Sequence, residues 1–332
     1  MRVPRLMQRL VLGITTLALA TSCGMTPSQA PSKKLGSTDD GPPQGGISQF
    51  YTRNVVYRVD EDIVVGMPNL NADIQVKRPN EPFIPANMND YVIHIHTGDI
   101  SLDDASMTAL FNKYVFNGPN SPLTDLKIAN NGNGKISMTG TLHKGIPIPF
   151  SLTGALSPDG KGRLVLKPET VKSAGIPVKG LMDAIGLDMA RLISSQSPGL
   201  AIDGDNIVLQ PCKLLPPPSV DGFAVGATVR AGQVTMSFDD QVRRPYPELP
   251  EPDARNFLFM YGGNILINNH LITDAKLQEI DMTPEDPMYF YMPTYREQLA
   301  AGFVVGDHGN TIAYLPDVHG TTVPQGRYRP KL

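Results

Sequence analysis

The chain has 332 residues, 41% of them hydrophobic and 18% charged, with 29 lysines and arginines against 32 aspartates and glutamates for a formal net charge of −3. That balance offers no basic field to a phosphate backbone, and basic–aromatic interleaving is absent as well, so no nucleic-acid partner is expected. Two cysteines, Cys23 and Cys212, are too few for a disulfide framework.

The N-terminal "MRVPRLMQR" carries Arg2, Arg5 and Arg9 and no acid, and the apolar run "LVLGITTLALA" follows it. The run is too short to cross a bilayer as a mature helix, and residues 1–22 read as a secretory signal peptide. They lead through "ATS" into Cys23, which resembles the bacterial lipobox, where a signal peptidase cuts before a lipidated cysteine. Ala20 stands where that pattern prefers leucine, and ordinary cleavage nearby, without a lipid, is the alternative. Acylation of Cys23 would tie the chain to a membrane, since each buried methylene contributes about 0.8 kcal/mol and several chains hold where one holds only marginally. Gly24 stands where the lipoprotein pattern uses aspartate for inner-membrane retention. The expected place is therefore the bacterial cell envelope, facing the periplasm, with the outer membrane favoured over the inner. Residues 23–47 are rich in Gly, Pro, Ser and charge, cannot bury enough surface to fold, and read as a disordered tether. With Cys23 acylated, Cys212 has no intramolecular partner, and the folded part must stand without a disulfide.

From residue 48 the chain reads as strands with one dry face: "ISQFYTRNVVYRVDEDIVVGMPNLNADIQVKRP", then "YVIHIHTGDI". A helix is predicted in "SLDDASMTALFNKYVF", with a capping-box-like start at Ser101 and Asp104 and an apolar stripe of Met107, Leu110, Phe111 and Tyr114. "GKISMTGTL" alternates, setting Ile136, Met138 and Leu142 on one face. "IPIPFSLTGAL" sets Ile146, Ile148, Phe150 and Leu152 on another, with Pro147 and Pro149 opposite, which argues for an edge or a bulge. "RLVLKP" is a further strand. "IPVKGLMDAIGLDMARLI" predicts a second helix, with Val178, Leu181, Ile185, Met189 and Leu192 on one side and Gly180 and Gly186 weakening it. "GLAIDGDNIVLQP" reads as a hairpin, "CKLLPPPSV" as a stiff extended connector, and "GFAVGATVRAGQVTMSF" as another strand pair. A Pro-rich hinge over 243–254 separates this 48–242 α+β domain from a smaller β-rich C-terminal region, 255–332.

Chemistry in the sequence is sparse. His94 and His96 stand two apart on a strand and project to one face, with their Cα atoms about 6.5–7 Å apart, a spacing from which two imidazoles can reach one ion. Asp99, Asp307, His308 and His319 are candidate further ligands for a metallohydrolase. The competing expectation is that Ile93 and Ile95 face inward while both histidines point to water; it is the one adopted, with no metal assigned. There is no G-x-S-x-G elbow, no phosphate-binding glycine loop, and no cationic or histidine neighbour to activate Cys212. No catalytic residue, cofactor or enzymatic activity is expected.

The order of elements from about Asp90 to Pro211 resembles bacterial exported lipid-binding proteins of the tubular lipid-binding (TULIP-like) superfamily. The segments that carry it are "GDISLDDASMTALFNKYVF", "NGKISMTGTLHKGIPIPFSLTGALSPDGKGRLVLKP", "AGIPVKGLMDAIGLDMARL" and "DGDNIVLQP". The resemblance implies an α+β fold in which a curved antiparallel sheet, a half-barrel, wraps a long helix and leaves an elongated apolar channel for a lipid or another apolar small molecule. The expected lining is Met107, Leu110, Phe111, Ile136, Met138, Leu142, Ile148, Phe150, Leu181, Ile185 and Met189. The alternative is a structural or assembly lipoprotein with a packed core that acts through an envelope protein partner.

Overall fold

The computed structural model describes residues 46–130, 132–186, 190–191, 193, 197–245 and 247–318. Cys23, Met189, Leu192 and His319 lie outside them, and of Leu181 and Met182 only the backbone is described.

Three long strands come first: β1 (Ile47–Arg58), β2 (Val64–Val76) and β3 (Tyr91–Asp103). Burial does not simply alternate along them: Ser48–Thr52 of β1 and Ala72–Ile74 of β2 are buried in succession, so parts of this sheet are covered on both faces. Helix α1 (Asp104–Leu110) follows and runs into one π-helical turn, Phe111–Val115. Its N-cap is Asp103, whose side chain accepts from the Ser106 amide, rather than the expected Ser101. Then come β4 (Leu123–Asn130), β5 (Lys135–Lys144), β6 (Ile146–Pro158), β7 (Leu164–Ser173), β8 (Ile176–Pro177), the short helix α2 (Leu181–Ile185), β9 (Leu200–Asp203) and β10 (Asn206–Leu209). A helical turn α3 (Pro211–Leu214) leads to β11 (Ser219–Gly222), β12 (Ala224–Arg230) and β13 (Gln233–Asp239). Beyond the Pro-rich segment are β14 (Phe257–Tyr261), β15 (Ile265–Ile267), β16 (His270–Ile272), β17 (Lys276–Asp281) and β18 (Met288–Tyr291). Helix α4 (Tyr295–Ala301) and a hairpin of β19 (Phe303–Asp307) and β20 (Asn310–Leu315) complete the order.

The fold is mostly β, with a curled antiparallel half-barrel sheet and few, short helices. One sheet of eleven strands runs β12-β13-β3-β2-β1-β14-β17-β20-β19, with β11 added to β3 and β18 to β1. A second, of seven strands, runs β4-β5-β6-β7-β10-β9, with β8 on β7. The C-terminal strands thus extend the sheet that the N-terminal strands begin: β14 pairs with β1 over Gln49–Arg53, and β18 with β1 over Val55–Arg58.

The expectation of a long helix inside the half-barrel is corrected: no long helix occurs among the described residues. The apolar stripe on α1 is present, since Met107, Leu110 and Phe111 are buried, but Asn117-Gly118-Pro119 follows within a few residues and stops it. The π turn also widens the helix, shifting its inward phase by one residue, so Val115 is buried and Tyr114 stands 41% exposed. In the second predicted helix only Leu181–Ile185 is helical before Gly186, whose φ of +76° ends it in the left-handed region.

Of two proline-rich stretches, the first lies at an edge as expected and the second differs from expectation. Pro147 and Pro149 lie in the part of β6 that pairs with β5 alone, because the β7 register begins only at Phe150. Their missing amides therefore face an open edge. The 243–254 segment does not span solvent. Leu249 and Ala254 pack on a cluster of Tyr51, Phe257, Phe259, Ile280 and Ile312 on the face of the large sheet away from the main core. The Gln278 side chain holds both the amide and the carbonyl of Glu251, at 2.8 and 3.0 Å.

Candidate functional site: two apolar cavities

The first cavity, of about 120 Å³, lies between α1, the seven-stranded sheet and part of the large one. Met107, Leu110 and Phe111 enter it from the helical segment, Ile136, Met138 and Leu142 from β5, Phe150 from β6 and Ile185 from the end of α2. Ile148 does not line it. The strand face that carries Ile148 leaves the core where β6 outruns β7, and Ile146 farther along is 68% exposed. The placement of Leu181 and Met189 against this cavity falls outside what is described.

Other lining residues were not expected. Leu164, Leu166, Ile207 and Leu209 repeat the same period-two pattern in β7 and β10, so the signal was present in "RLVLKP" and "NIVL". Val234 and Met236 belong to β13, in the other sheet, and only the tertiary fold brings them there. Among the described residues Ser173 is the sole polar one lining the cavity.

The second cavity, also about 120 Å³, lies under the large sheet and is built differently. Tyr57, Phe83, Tyr91, Phe290 and Tyr295 give it aromatic walls, with ring centroids 4.8 Å apart for Phe290–Tyr295 and for Phe83–Tyr91, and 6.0 Å for Tyr57–Phe290. One acid lines it, Glu279 of β17, which is 1% exposed. Burial pushes its carboxyl up to about 7, although the Tyr295 hydroxyl donates to Oε1 and pulls the other way. Leu215 lines both cavities, so a single side chain forms part of each wall.

The histidines do not behave as a pair. Ile95 faces the core as expected, but His96 is not in water: it is 7% exposed. In the register of β2 against β3, Asn71 faces Thr97 and Ala72 faces Ile95, which leaves His96 as the extra residue of a bulge. A bulge re-aims its side chain and breaks the alternation on which the expectation rested. Gly98 next to it adopts φ +136°, and a Cβ there would meet the Asn69 carbonyl oxygen at 2.2 Å.

Around His96, Asp240 Oδ2 lies 2.7 Å from Nδ1 and Asp73 Oδ2 3.2 Å from Nε2. Arg244 reaches Asp73 at 2.6 Å. Burial alone would lower the imidazole pKa, but the two carboxylates outweigh it and raise it, while Arg244 Nε also approaches Nε2 at 3.2 Å. His94 instead faces Asp221 at 3.4 Å near the surface. Asp99 accepts from Ser237, and Asp307 pairs with its neighbour His308 in an exposed turn. Among the described residues no three His, Cys, Asp or Glu side chains are grouped so as to hold a metal ion. Cys212 lies in α3 rather than in an extended connector, and burial pushes its thiol up to about 12.

Comparison with known proteins finds little. The chain is 31% identical over 151 residues to cytosolic carboxypeptidase 2 of Danio rerio, a match covering 42% of this chain and 19% of that protein. The match therefore spans under a fifth of that relative's length, and the relative's activity is not carried over. No family model matches, and no solved structure matches.

Proposed function

We propose that this chain is an extracytoplasmic lipoprotein, anchored in the bacterial envelope through acylated Cys23, that binds lipid or another apolar molecule in the first cavity. The observation that supports this is an unfilled interior space walled by hydrocarbon from two sheets and a helix, with one serine among its lining residues. Such a space stays dry, and an apolar guest gains about 0.8 kcal/mol per methylene it withdraws from water. Met107, Met138 and Met236 in the wall are unbranched and adaptable, and yield to guests of varied shape. No reaction is required.

One observation favours a second reading, a structural lipoprotein that acts through a protein partner. A cavity of about 120 Å³ is below the ~300–1,000 Å³ of sites that enclose a whole drug-sized ligand. An acyl chain would enter only if the wall opened. Solvent extraction of the purified tail-less protein followed by mass spectrometry separates the two: co-purified lipid and uptake of a fluorescent fatty acid are expected of a binder. Leu110→Trp should then block uptake while leaving the fold intact, whereas in a solid interior it destabilises the protein by about 1–3 kcal/mol. Recovery of no lipid together with no uptake leaves the scaffold reading.

A further inference from the structure

The second cavity differs from the first in one respect: its otherwise apolar lining includes a buried acid. Tyr57, Phe83, Tyr91, Phe290 and Tyr295 are among its lining residues, and among the described residues Glu279 is the only ionisable group in it besides tyrosines. Of the two carboxyl oxygens, Oε1 accepts from Tyr295, and among the described residues nothing donates to Oε2. An acid buried in this way normally carries a partner for each oxygen. One acceptor therefore faces a space wide enough for a small guest, inside a ring of aromatic side chains.

We propose that this cavity is a binding site for a small organic cation, an alkyl or aryl amine, whose N–H donates to Glu279 Oε2 while its hydrocarbon rests against Tyr57, Phe290 and Tyr295. The reading is independent of lipid binding in the first cavity. An amine supplies what the site lacks: a donor for the unused oxygen and a positive charge that rings and carboxylate both attract. A neutral apolar guest would leave Oε2 unsatisfied, and an anion would meet the carboxylate. The size sets a limit: apolar cavities of about 150 Å³ accept benzene and this one is about 120 Å³, so its wall must yield to admit an aryl amine. A surface recess lies on the far side of part of the wall. A polar recess of about 570 Å³ at the surface, bounded by Asn87, Asn89 and Asp90, shares Val59, Pro216 and Pro217 with the cavity wall.

The groups that face Glu279 set its pH behaviour. Tyr295 donates to it, and Tyr57 and Tyr91 line the same cavity, all three hydroxyls held above their ordinary values by burial; among the described residues no lysine, arginine, histidine or second acid lines the cavity. Glu279 alone therefore titrates in the neutral range, and an amine, protonated up to about pH 10, needs its ionised form.

Isothermal calorimetry on the full chain with benzylamine, benzyl alcohol and benzoate tests this. Benzylamine should bind at least about tenfold more tightly than benzyl alcohol, the equivalent of one charge-assisted hydrogen bond, and benzoate should not bind. In the wild type the affinity for benzylamine should rise from pH 5.5 to 8, while that for benzyl alcohol stays flat. Glu279→Gln, which keeps the shape, should remove the preference for the amine, and Leu110→Trp in the other cavity should leave it unchanged. Equal binding of amine and alcohol overturns the proposal, as does a preference that survives Glu279→Gln or no binding of benzylamine at all.

Discussion

The two cavities are equal in size and share the Leu215 side chain, yet they differ in what an occupant would have to satisfy. The first is walled by apolar residues from α1, from β4 to β10 and from β13, and asks only for hydrocarbon. The second is also mostly aliphatic but adds several tyrosines and phenylalanines and one carboxyl at 1% exposure. Burying a hydrocarbon side chain next to empty space costs lost contacts, a few tenths of a kcal/mol at a time. Burying an acid shifts its protonation instead, which makes the second cavity sensitive to pH and the first indifferent to it. Similar volumes thus carry different chemistries, and substitutions in each should report different things.

The largest effect is expected in the first wall. Leu142→Ala, at a residue 1% exposed, should cost about 2–5 kcal/mol in denaturant unfolding, by the same amount at pH 5 and at pH 8. A cost that varies with pH would mean that the two regions are coupled.

Glu279→Gln should go the other way. A group whose folded pKa is raised binds its proton longer in the native state, so its penalty is absent below about 4.5 and grows as pH rises towards about 7. The glutamine variant should therefore be more stable than wild type at pH 8, by up to about 3 kcal/mol, and similar at pH 4.5. Wild-type stability should fall over the same range. His96, also raised, contributes stability below about 6.5 that is lost as pH rises through its folded value. Burial pushes Asp317 up to about 6, and its penalty grows as pH rises from 3.8. Asp60, Asp159 and Asp221 are lowered by the hydrogen bonds they accept, so their contributions are present above about 3.8 and lost on acidification. A melting-temperature scan should peak near pH 5, and a peak above pH 7 would contradict these assignments.

Smaller changes test the shared wall. Leu215→Ala, at a partly buried position, should cost at most about 2 kcal/mol and join the two spaces. A longer fluorescent guest than the wild type admits should then bind. Least of all, Cys212 should react with a thiol reagent only on unfolding, since its buried thiol titrates at about 12. Labelling of the native protein within minutes at pH 7.5 would mean that α3 opens.

Much of the first cavity was legible because strands advertise their dry face every second residue. Ile136, Met138 and Leu142 needed no more than that, and Leu164 and Leu166 carried the same signal. Ile148 shows the limit: alternation says which face a residue is on, but how far a neighbouring strand extends decides whether that face is covered. His96 shows another. A one-residue bulge reverses inside and outside, and it is defined by the register between two strands, which is a contact the local sequence does not contain. Glu279 was passed over because a single acid among apolar residues looks the same in sequence whether it ends in water or beside Tyr295.

The amino-acid sequence by itself determined the strand faces, the hairpin turns and the short apolar stripe of α1, because these depend on residues a few positions apart. Tertiary structure decided that the last strands join the first in one sheet, that the Pro-rich segment lies along it, and that two spaces remain unfilled. Each of those depends on which distant surfaces meet and how well their side chains fill the gap between them, and packing of that kind is settled only when the whole chain has closed.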